Sequence, residues 1–235
     1  MLITNLNLTN YRSYSSLDLP LTNGISIFVG KNGEGKTNIA ESILYLTFLS
    51  SHRASGNTPT LLKTTGIEHG LIGPKEGDRI WERHIANCIP ITTIIPTGVR
   101  LADIGSGAGL PGVVIALARP DLKVTLIEPL QRRVEFLNQV IAELELPIKV
   151  VRGRAEAVKM QFEVVTARAV APLEKLIQIS WHMIPKGGCL LAIKGESAAQ
   201  ELAATKLKKG AIAKLHEISL PNLPVARVVE VLKGA

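Results

Sequence analysis

The feature that most restricts the fold of this chain is a regular alternation of strand-like and helix-like segments after residue 97. Short apolar segments predict strands at Gly98–Ile104, Lys123–Glu128, Ile148–Arg152, Phe162–Thr166 and Cys189–Ile193, with two more at Leu215–Leu220 and Ala226–Leu232. Helices are predicted between them at Val113–Ala118, Leu130–Leu144 and Leu173–Met183. Strands that alternate with helices form a mostly parallel sheet covered on both faces, so the sequence predicts an α/β fold.

A glycine-rich turn follows the first of these strands. It reads Gly105-Ser106-Gly107-Ala108-Gly109-Leu110-Pro111-Gly112 and leads into a helix. Such a turn lets a cofactor approach the backbone at the carboxyl end of the strand. Its glycines, Gly105, Gly107 and Gly109, stand as GxGxG and not as the GxGxxG of dinucleotide-binding proteins. A tight strand-to-helix turn without a ligand remains the alternative.

Other polar residues collect at the same predicted edge. Asp103 precedes the turn, and Glu128 ends the next strand, where an acid can accept hydrogen bonds from a ribose. The ends of the later strands carry Ala155, Glu156, Arg168 and Lys194. A dehydrogenase would require GxGxxG and a catalytic His or Tyr–Lys pair, and neither is evident. S-Adenosylmethionine has no pyrophosphate, and the two acids suit its amino group and ribose.

A second phosphate-type loop lies near the N terminus. The apolar segment Ile25–Val29 predicts a strand, and the residues after it match GxxxxGK[ST] through Gly30, Gly35, Lys36 and Thr37. Backbone N–H groups of such a loop cradle phosphates, and the threonine holds Mg²⁺. No apolar strand that ends in an acidic pair follows before residue 60, although a working ATPase needs one. This absence favours a vestigial phosphate-binding loop over a functional ATPase.

Composition limits the function further. The chain of 235 residues is 46% apolar and 20% charged, which argues against wholesale disorder. Aromatic residues make up 4%, too few for a base-stacking platform. Its two cysteines, far apart in the sequence, predict neither a disulfide framework nor a metal site. With no signal sequence and no long apolar run, a cytoplasmic protein without a membrane span is expected.

The positive charge is unevenly distributed. Residues 1–60 carry four Lys/Arg and three Asp/Glu, whereas residues 61–235 carry 23 and 17. The net charge of +7 therefore divides into +1 and +6. A basic excess on the larger part suits a polyanionic partner such as RNA.

Residues 61–235 resemble the RsmG (GidB) family of methyltransferases. The resemblance rests on Gly70–Pro74, Trp81–His84, Ala102–Gly112, Leu126–Pro129, Arg132–Leu137, Val151–Glu156, Ala167–Pro172 and Lys194-Gly195. It implies a Rossmann-like class I methyltransferase fold. The implied reaction transfers a methyl group from S-adenosylmethionine to N7 of a guanine in 16S rRNA, on the RNA or the small ribosomal subunit.

The resemblance also implies which residues contact the ligands. The cofactor contacts of the family match Gly105, Leu110, Ala155, Glu156 and Arg168. The candidates for RNA contact are Arg83, His84, Arg132, Arg133, Arg154 and Lys194, although structural roles such as a solvated helix face or a salt bridge remain open for several of them. No catalytic residue is named, because guanine N7 already has a free lone pair. A monomer is expected.

Residues 1–60 resemble the N terminus of the RecF family of DNA-repair ATPases. The resemblance rests on Asn10–Tyr14, Gly30–Asn38 and Ser51–Arg53, and the signature motif and Walker B of that family are absent. The predicted organisation is therefore a P-loop fragment at 1–60 and a methyltransferase domain at 61–235 that lacks the first helices of its family. Two alternative functions follow: a nucleotide-dependent DNA-repair fragment, or a non-catalytic remnant that binds S-adenosylmethionine or RNA.

Overall fold

The fold is known from a computed structural model, which describes residues 5–11, 14–21, 84–144, 146–221 and 223–234. The chain divides into two compact units, Met1–Thr58 and Pro59–Ala235. The predicted P-loop, its strand at Ile25–Val29 and its helix lie outside the described residues. Within the described part of the chain, no helix is long and apolar enough to cross a membrane.

In the first unit, the described residues form a β-hairpin. Strands β1 (Asn5–Tyr11) and β2 (Tyr14–Pro20) pair antiparallel, with Leu6 opposite Leu19. The amide of Asn5 donates a hydrogen bond across the hairpin to Asp18, at 2.8 Å.

The second unit is built around one sheet. Its strands are β3 (Arg100–Ile104), β4 (Lys123–Glu128), β5 (Lys149–Arg152), β6 (Val164–Arg168), β7 (Cys189–Lys194), β8 (Ala211–Ile218) and β9 (Ala226–Lys233). The seven strands lie in the order β5–β4–β3–β6–β7–β9–β8. The first five in that order are parallel to one another, whereas β9 pairs antiparallel with both β7 and β8. The prediction of a mostly parallel sheet is confirmed.

Helices connect these strands. They are α1 (Gly112–Ala118), α2 (Gln131–Glu143), α3 (Leu173–Ser180) and α4 (Ala198–Ala204). Short 3₁₀ helices lie at Ala86–Cys88, Pro90–Ile94, Ala155–Ala157 and Trp181–Met183. The α2 helix forms where its apolar residues recur at helical spacing, and it buries Val134, Leu137 and Val140.

The core lies on both faces of the sheet, because successive strand residues point to opposite sides. In β3, Leu101 joins a cluster with Ile115 of α1 and Leu137 of α2, whereas the adjacent Ala102 joins a cluster with Leu176 of α3. The near-continuous apolar strands are thus explained by burial on both faces.

Several predicted boundaries are wrong. Strand β6 begins and ends two residues later than predicted, so Arg168 is its last residue, and β8 begins at Ala211 instead of Leu215. The predicted helix at Leu173–Met183 ends at Ser180 and continues as a 3₁₀ turn. The short α4 helix has no counterpart in the prediction. Element ends depend on contacts that a local pattern does not contain.

Candidate active site

The strand order reverses between β3 and β6, and this places a crevice at the carboxyl edge of the sheet. From β3 the chain proceeds outward to β4 and β5 on one side, and later to β6 and β7 on the other. Open α/β sheets bind ligands in the crevice beside such a switch point. The glycine turn after β3 and residues 168–170 at the end of β6 both lie at this point.

The glycine turn requires glycine for two separate physical reasons. Gly105, Gly107 and Gly109 have φ values of 66°, 56° and 87°, in the left-handed region that other residues rarely adopt. A side chain would also collide with its neighbours. A Cβ atom on Gly105 would lie 2.8 Å from Cγ2 of Val170, and one on Gly109 would lie 2.6 Å from Cγ2 of Val113. The turn is therefore held as a closely packed backbone cradle.

Asp103 supports this turn from inside the protein. Its side chain is fully buried, and its Oδ2 accepts a hydrogen bond from the backbone N–H of Gly112 at 3.0 Å. The hydroxyl of Ser106 donates to the backbone carbonyl of Asp103 at 2.8 Å. Among the described residues, Oδ1 has no hydrogen-bond partner. The observed contacts of Asp103 are thus with the loop, and its predicted contact with the cofactor stays a prediction.

Burial perturbs the acidity of Asp103. It raises the pKa of this carboxyl from its ordinary value of 3.8 to about 7. The hydrogen bond from Gly112 and the positive charge of Arg168 act in the opposite direction, and the negative charge of Glu128 adds to the rise. The carboxyl therefore titrates near neutral pH.

Glu128 joins the glycine turn to the next strand. Its side chain is 1% exposed; Oε2 accepts from the N–H of Gly107 at 2.9 Å, and Oε1 accepts from the N–H of Leu130 at 3.0 Å. The guanidinium of Arg133 lies 3.9 Å from Oε2. A carboxylate has about four acceptor sites, and these two backbone N–H groups use two of them. The sequence does not predict that Glu128 also orders the loop.

The end of β5 lies beside the end of β4 at the carboxyl edge of the sheet. The N–H of Gly153 donates to the carbonyl of Glu128 at 3.1 Å, which holds the two strand ends together. A 3₁₀ turn follows, in which Ala155 is buried and Glu156 is exposed. Leu110 is half-buried in the glycine turn and precedes a cis proline. The structure thus brings the ends of β3, β4 and β5 together at one edge.

Arg168 makes contacts that the sequence does not reveal. Its Nη1 donates to the carbonyl of His84 at 2.9 Å and lies 3.6 Å from Sγ of Cys88, while its Nη2 donates to Nδ1 of His84 at 2.8 Å. Arg168 therefore holds the 3₁₀ segment that begins at Ala86 against the end of β6. Burial raises the pKa of the Cys88 thiol to about 11, so this cysteine is a neutral packing residue.

The RNA-contact candidates differ in their surroundings. Arg132 and Arg154 are exposed, whereas Arg133 is partly covered beside Glu128. Lys194 is engaged inside the protein, where its ammonium donates to Glu201 at 2.9 Å and to the carbonyl of Ala171 at 3.0 Å. His84 is half-buried against Arg168, as described above. Arg83 and the vestigial phosphate-binding residues Gly30, Gly35, Lys36 and Thr37 lie outside the described residues.

The fold and the site together define a class of protein. A Rossmann-like sheet with a glycine cradle and a buried acid at the ends of two adjacent strands is typical of α/β enzymes that bind adenosine-containing cofactors. The described residues contain no group of three or more His, Cys, Asp or Glu placed to hold a metal ion. The fold matches that of a methyltransferase from Pyrococcus furiosus, with a TM-score of 0.53 at 19% identity over 64% of this chain and 83% of that one.

Residues 58–225 match the family of rRNA small subunit methyltransferase G, and the chain belongs to this family. It is 49% identical over 177 residues to ribosomal RNA small subunit methyltransferase G of Thermobifida fusca, across 74% of this chain and 71% of that protein. The corresponding protein of Acidothermus cellulolyticus is 54% identical over 146 residues, 62% of this chain and 66% of its own length. That of Kineococcus radiotolerans is 53% identical, but the chain spans 58% of its length.

The N-terminal part matches a different family. Residues 1–92 match an AAA ATPase domain, which agrees with the predicted P-loop segment. The two matched ranges overlap over residues 58–92. In the described part of this overlap, Ile91 is fully buried in a cluster with Leu101 and Val113. Residues 84–92 therefore pack into the core of the sheet unit.

Proposed function

We propose that this chain transfers a methyl group from S-adenosylmethionine to N7 of a guanine in 16S rRNA. The observation that carries the proposal is the family match, which spans the sheet and its whole carboxyl edge. The glycine turn, Glu128 and the 3₁₀ turn at Ala155 all lie within the matched residues. The chain spans 66% and 58% of the length of two of these relatives, so the activity of the whole protein is part of the proposal.

The chemistry of the edge fits this cofactor. S-Adenosylmethionine, when bound, supplies an electrophilic methyl group on a positively charged sulfonium. A Cβ atom on Gly107 would meet nothing nearer than 3.8 Å, so a ligand can approach the backbone there, and the buried acids Asp103 and Glu128 lie at or next to the ends of β3 and β4. We assign Gly105, Gly107, Gly109, Leu110, Glu128, Ala155 and Glu156 to the cofactor site. Asp103 positions the glycine turn, and Arg168 positions the 3₁₀ segment at Ala86–Cys88 through its hydrogen bonds to His84.

The proposed reaction needs no general base. Guanine N7 has an in-plane lone pair and carries no proton, so the protein has only to orient the base and exclude water. Gly105 and Val170 come into close contact where β3 and β6 end, so the cofactor loop and the end of β6 lie side by side at the crevice. Catalysis then rests on positioning the base, and we assign no residue as a general base.

The rRNA partner is supported by charge. The excess of Lys and Arg lies in residues 61–235, and Arg132 and Arg154 are exposed beside the proposed cofactor site. Arginines of this kind neutralise phosphates, and the binding should weaken steeply with salt. Lys194 is the weakest of the RNA candidates, because its ammonium already has two protein partners. We further propose that the protein acts as a monomer on the small ribosomal subunit, in the cytoplasm.

The ATPase match supports a second candidate function. Residues 1–92 resemble an AAA ATPase domain, and the sequence GxxxxGKT at Gly30–Thr37 can bind a nucleotide. We propose that residues 1–60 form a vestigial P-loop fragment attached to a methyltransferase domain at 61–235. Limited proteolysis tests this organisation. Rapid loss of residues 1–60 with a stable remainder supports a separate fragment. Resistance of both parts to the protease indicates that residues 1–60 contribute to the folded structure.

Calorimetric titration and a methylation assay test the function together. We expect heat of binding with S-adenosylmethionine, none with NAD, and formation of 7-methylguanine on small subunits that lack this methyl group. Binding of ATP without binding of S-adenosylmethionine would overturn the proposal in favour of the nucleotide-dependent candidate. Binding of S-adenosylmethionine without methylation would identify a non-catalytic remnant.

A further inference from the structure

A cavity lies at the carboxyl edge, on the other side of the switch point from the proposed cofactor site. Its volume is about 350 Å³, within the range of roughly 300–1,000 Å³ that is usual for small-molecule pockets. The ends of β6 and β7 and the start of β9 line it, because β9 runs antiparallel and begins at this edge. The glycine turn and Glu128, to which the cofactor was assigned, are not among its lining residues.

The cavity adjoins the glycine turn. Ala169 lines it, and the next residue, Val170, is the side chain that Gly105 closely approaches. Ala169 has a φ of 54°, a strained conformation for a residue with a Cβ atom. Strain of this kind persists where the surrounding structure requires it, and it concentrates at ligand sites. A molecule in the cavity would therefore lie next to the cofactor loop.

The charged residues that line the cavity differ in whether they have partners among the described residues. Lys194 is engaged with Glu201, and Nε of Arg227 donates to Glu217 at 2.9 Å. Glu196 lines the cavity, is exposed, and makes no hydrogen bond or ion pair to any described residue. Within the described part of the chain, Glu196 is thus an acceptor that no other group uses.

Guanine offers a partner for this acceptor. Its Watson–Crick edge presents two adjacent donors, N1–H and the N2 amino group, to a carboxylate that accepts through both oxygens. Adenine presents an acceptor in place of N1–H and lacks the N2 amino group, so the same carboxylate would repel it. A base that enzymes take out of its stack is commonly read through this edge. N7 lies on the opposite side of the purine and stays free.

We propose that this cavity holds the target guanine and that Glu196 selects it by accepting hydrogen bonds from N1–H and N2–H. The inference rests on the proposed function and adds the residue that determines which base is methylated. With its Watson–Crick edge on Glu196, the base presents N7 on the side that faces away from this carboxylate. The terminal nitrogens of Arg227, which bond to no described residue, remain available to the adjoining phosphate.

Exchange of the target guanosine for inosine, which lacks only the N2 amino group, tests the inference. Small subunits are reconstituted with guanosine or inosine at the methylated position, once that position is mapped. For the unaltered protein, we expect kcat/KM to fall about 10-fold or more with inosine, because one hydrogen bond to a carboxylate is lost. For Glu196→Ala, we expect a low kcat/KM with guanosine and little further loss with inosine.

A matched control and a binding measurement complete the test. Glu174→Gln changes an exposed carboxylate on α3 that does not line the cavity, and it should preserve the preference for guanosine. Affinity for S-adenosylmethionine should be the same in all three proteins. If Glu196→Ala discriminates against inosine as strongly as the unaltered protein, Glu196 does not read the base, although methylation itself stands. If the unaltered protein methylates neither substrate, the proposed function fails and the inference fails with it.

Discussion

Replacement of Asp103 by asparagine should change how the stability of the protein depends on pH. The folded protein keeps this buried carboxyl protonated up to a pKa of about 7, whereas the unfolded chain releases the proton near pH 3.8. A raised pKa means that the folded state binds more protons, so the contribution to stability is full below pH 4 and is lost as pH rises through 7. Asparagine is nearly isosteric and does not titrate.

The expected size of the effect follows from the same values. Three pH units of difference correspond to at most about 4 kcal/mol, of which about 2–3 kcal/mol is lost between pH 5 and pH 8. Urea unfolding, followed by circular dichroism at several pH values, measures the free energy of unfolding. The free energy of unfolding of Asp103→Asn, relative to that of the unaltered protein, should rise by that amount as pH increases from 5 to 8.

A second aspartate provides the control for this experiment. Hydrogen bonds from Arg119 hold the pKa of Asp121 well below its ordinary range, so Asp121 stays ionised between pH 5 and pH 8. Asp121→Asn should lower stability by an amount that does not change across this range. If the unfolding free energies of Asp103→Asn and of the unaltered protein run parallel with pH, Asp103 is not protonated in the folded state, and the argument from burial is wrong.

Three further substitutions test the site. Gly112→Ala places a Cβ atom 2.8 Å from Oδ2 of the buried aspartate and should cost about 1–3 kcal/mol, seen as a lower melting temperature, whereas Gly153→Ala meets nothing within 4 Å and should not. Glu128→Gln should weaken S-adenosylmethionine binding by about 1–3 kcal/mol in a calorimetric titration; unchanged affinity would remove Glu128 from the cofactor site. Lys194→Met should lower the melting temperature, and Lys194→Met in a Glu201→Gln background should lower it less, because the loss reflects an unpaired carboxylate. Equal losses in both backgrounds would contradict a structural ion pair.

Residues 84–92, which precede β3, lie in the region where the two family matches overlap. The ATPase match extends to residue 92, but Cys88 and Ile91 are fully buried, and Ile91 packs among core residues of the sheet unit. Arg168 binds the carbonyl of His84 in the same segment. These contacts assign the described residues 84–92 to the methyltransferase fold.

Local patterns in the sequence were sufficient for the fold class. Burial on both faces makes parallel strands continuously apolar, and a helix repeats its apolar residues every three to four positions, so the strands and three of the helices could be predicted. The short α4 helix was not predicted: its residues are strong helix formers, but seven residues are too few to show a repeat of apolar positions. The positions of Gly105, Gly107 and Gly109 likewise marked the cradle, since backbone with positive φ favours glycine.

The roles of the charged residues at the edge were decided by tertiary structure. The sequence by itself determined that Asp103, Glu128, Arg168 and Lys194 end strands or lie next to strand ends, and hence that they share one edge. Which of them remains open to a ligand depends on partners from other elements. Arg168 hydrogen-bonds to His84, and Lys194 hydrogen-bonds to Glu201 of α4, whereas Glu128 accepts from the backbone N–H groups of Gly107 and Leu130. A charged group binds whichever partner the packed chain brings within hydrogen-bond distance, and only the folded arrangement shows which partner that is.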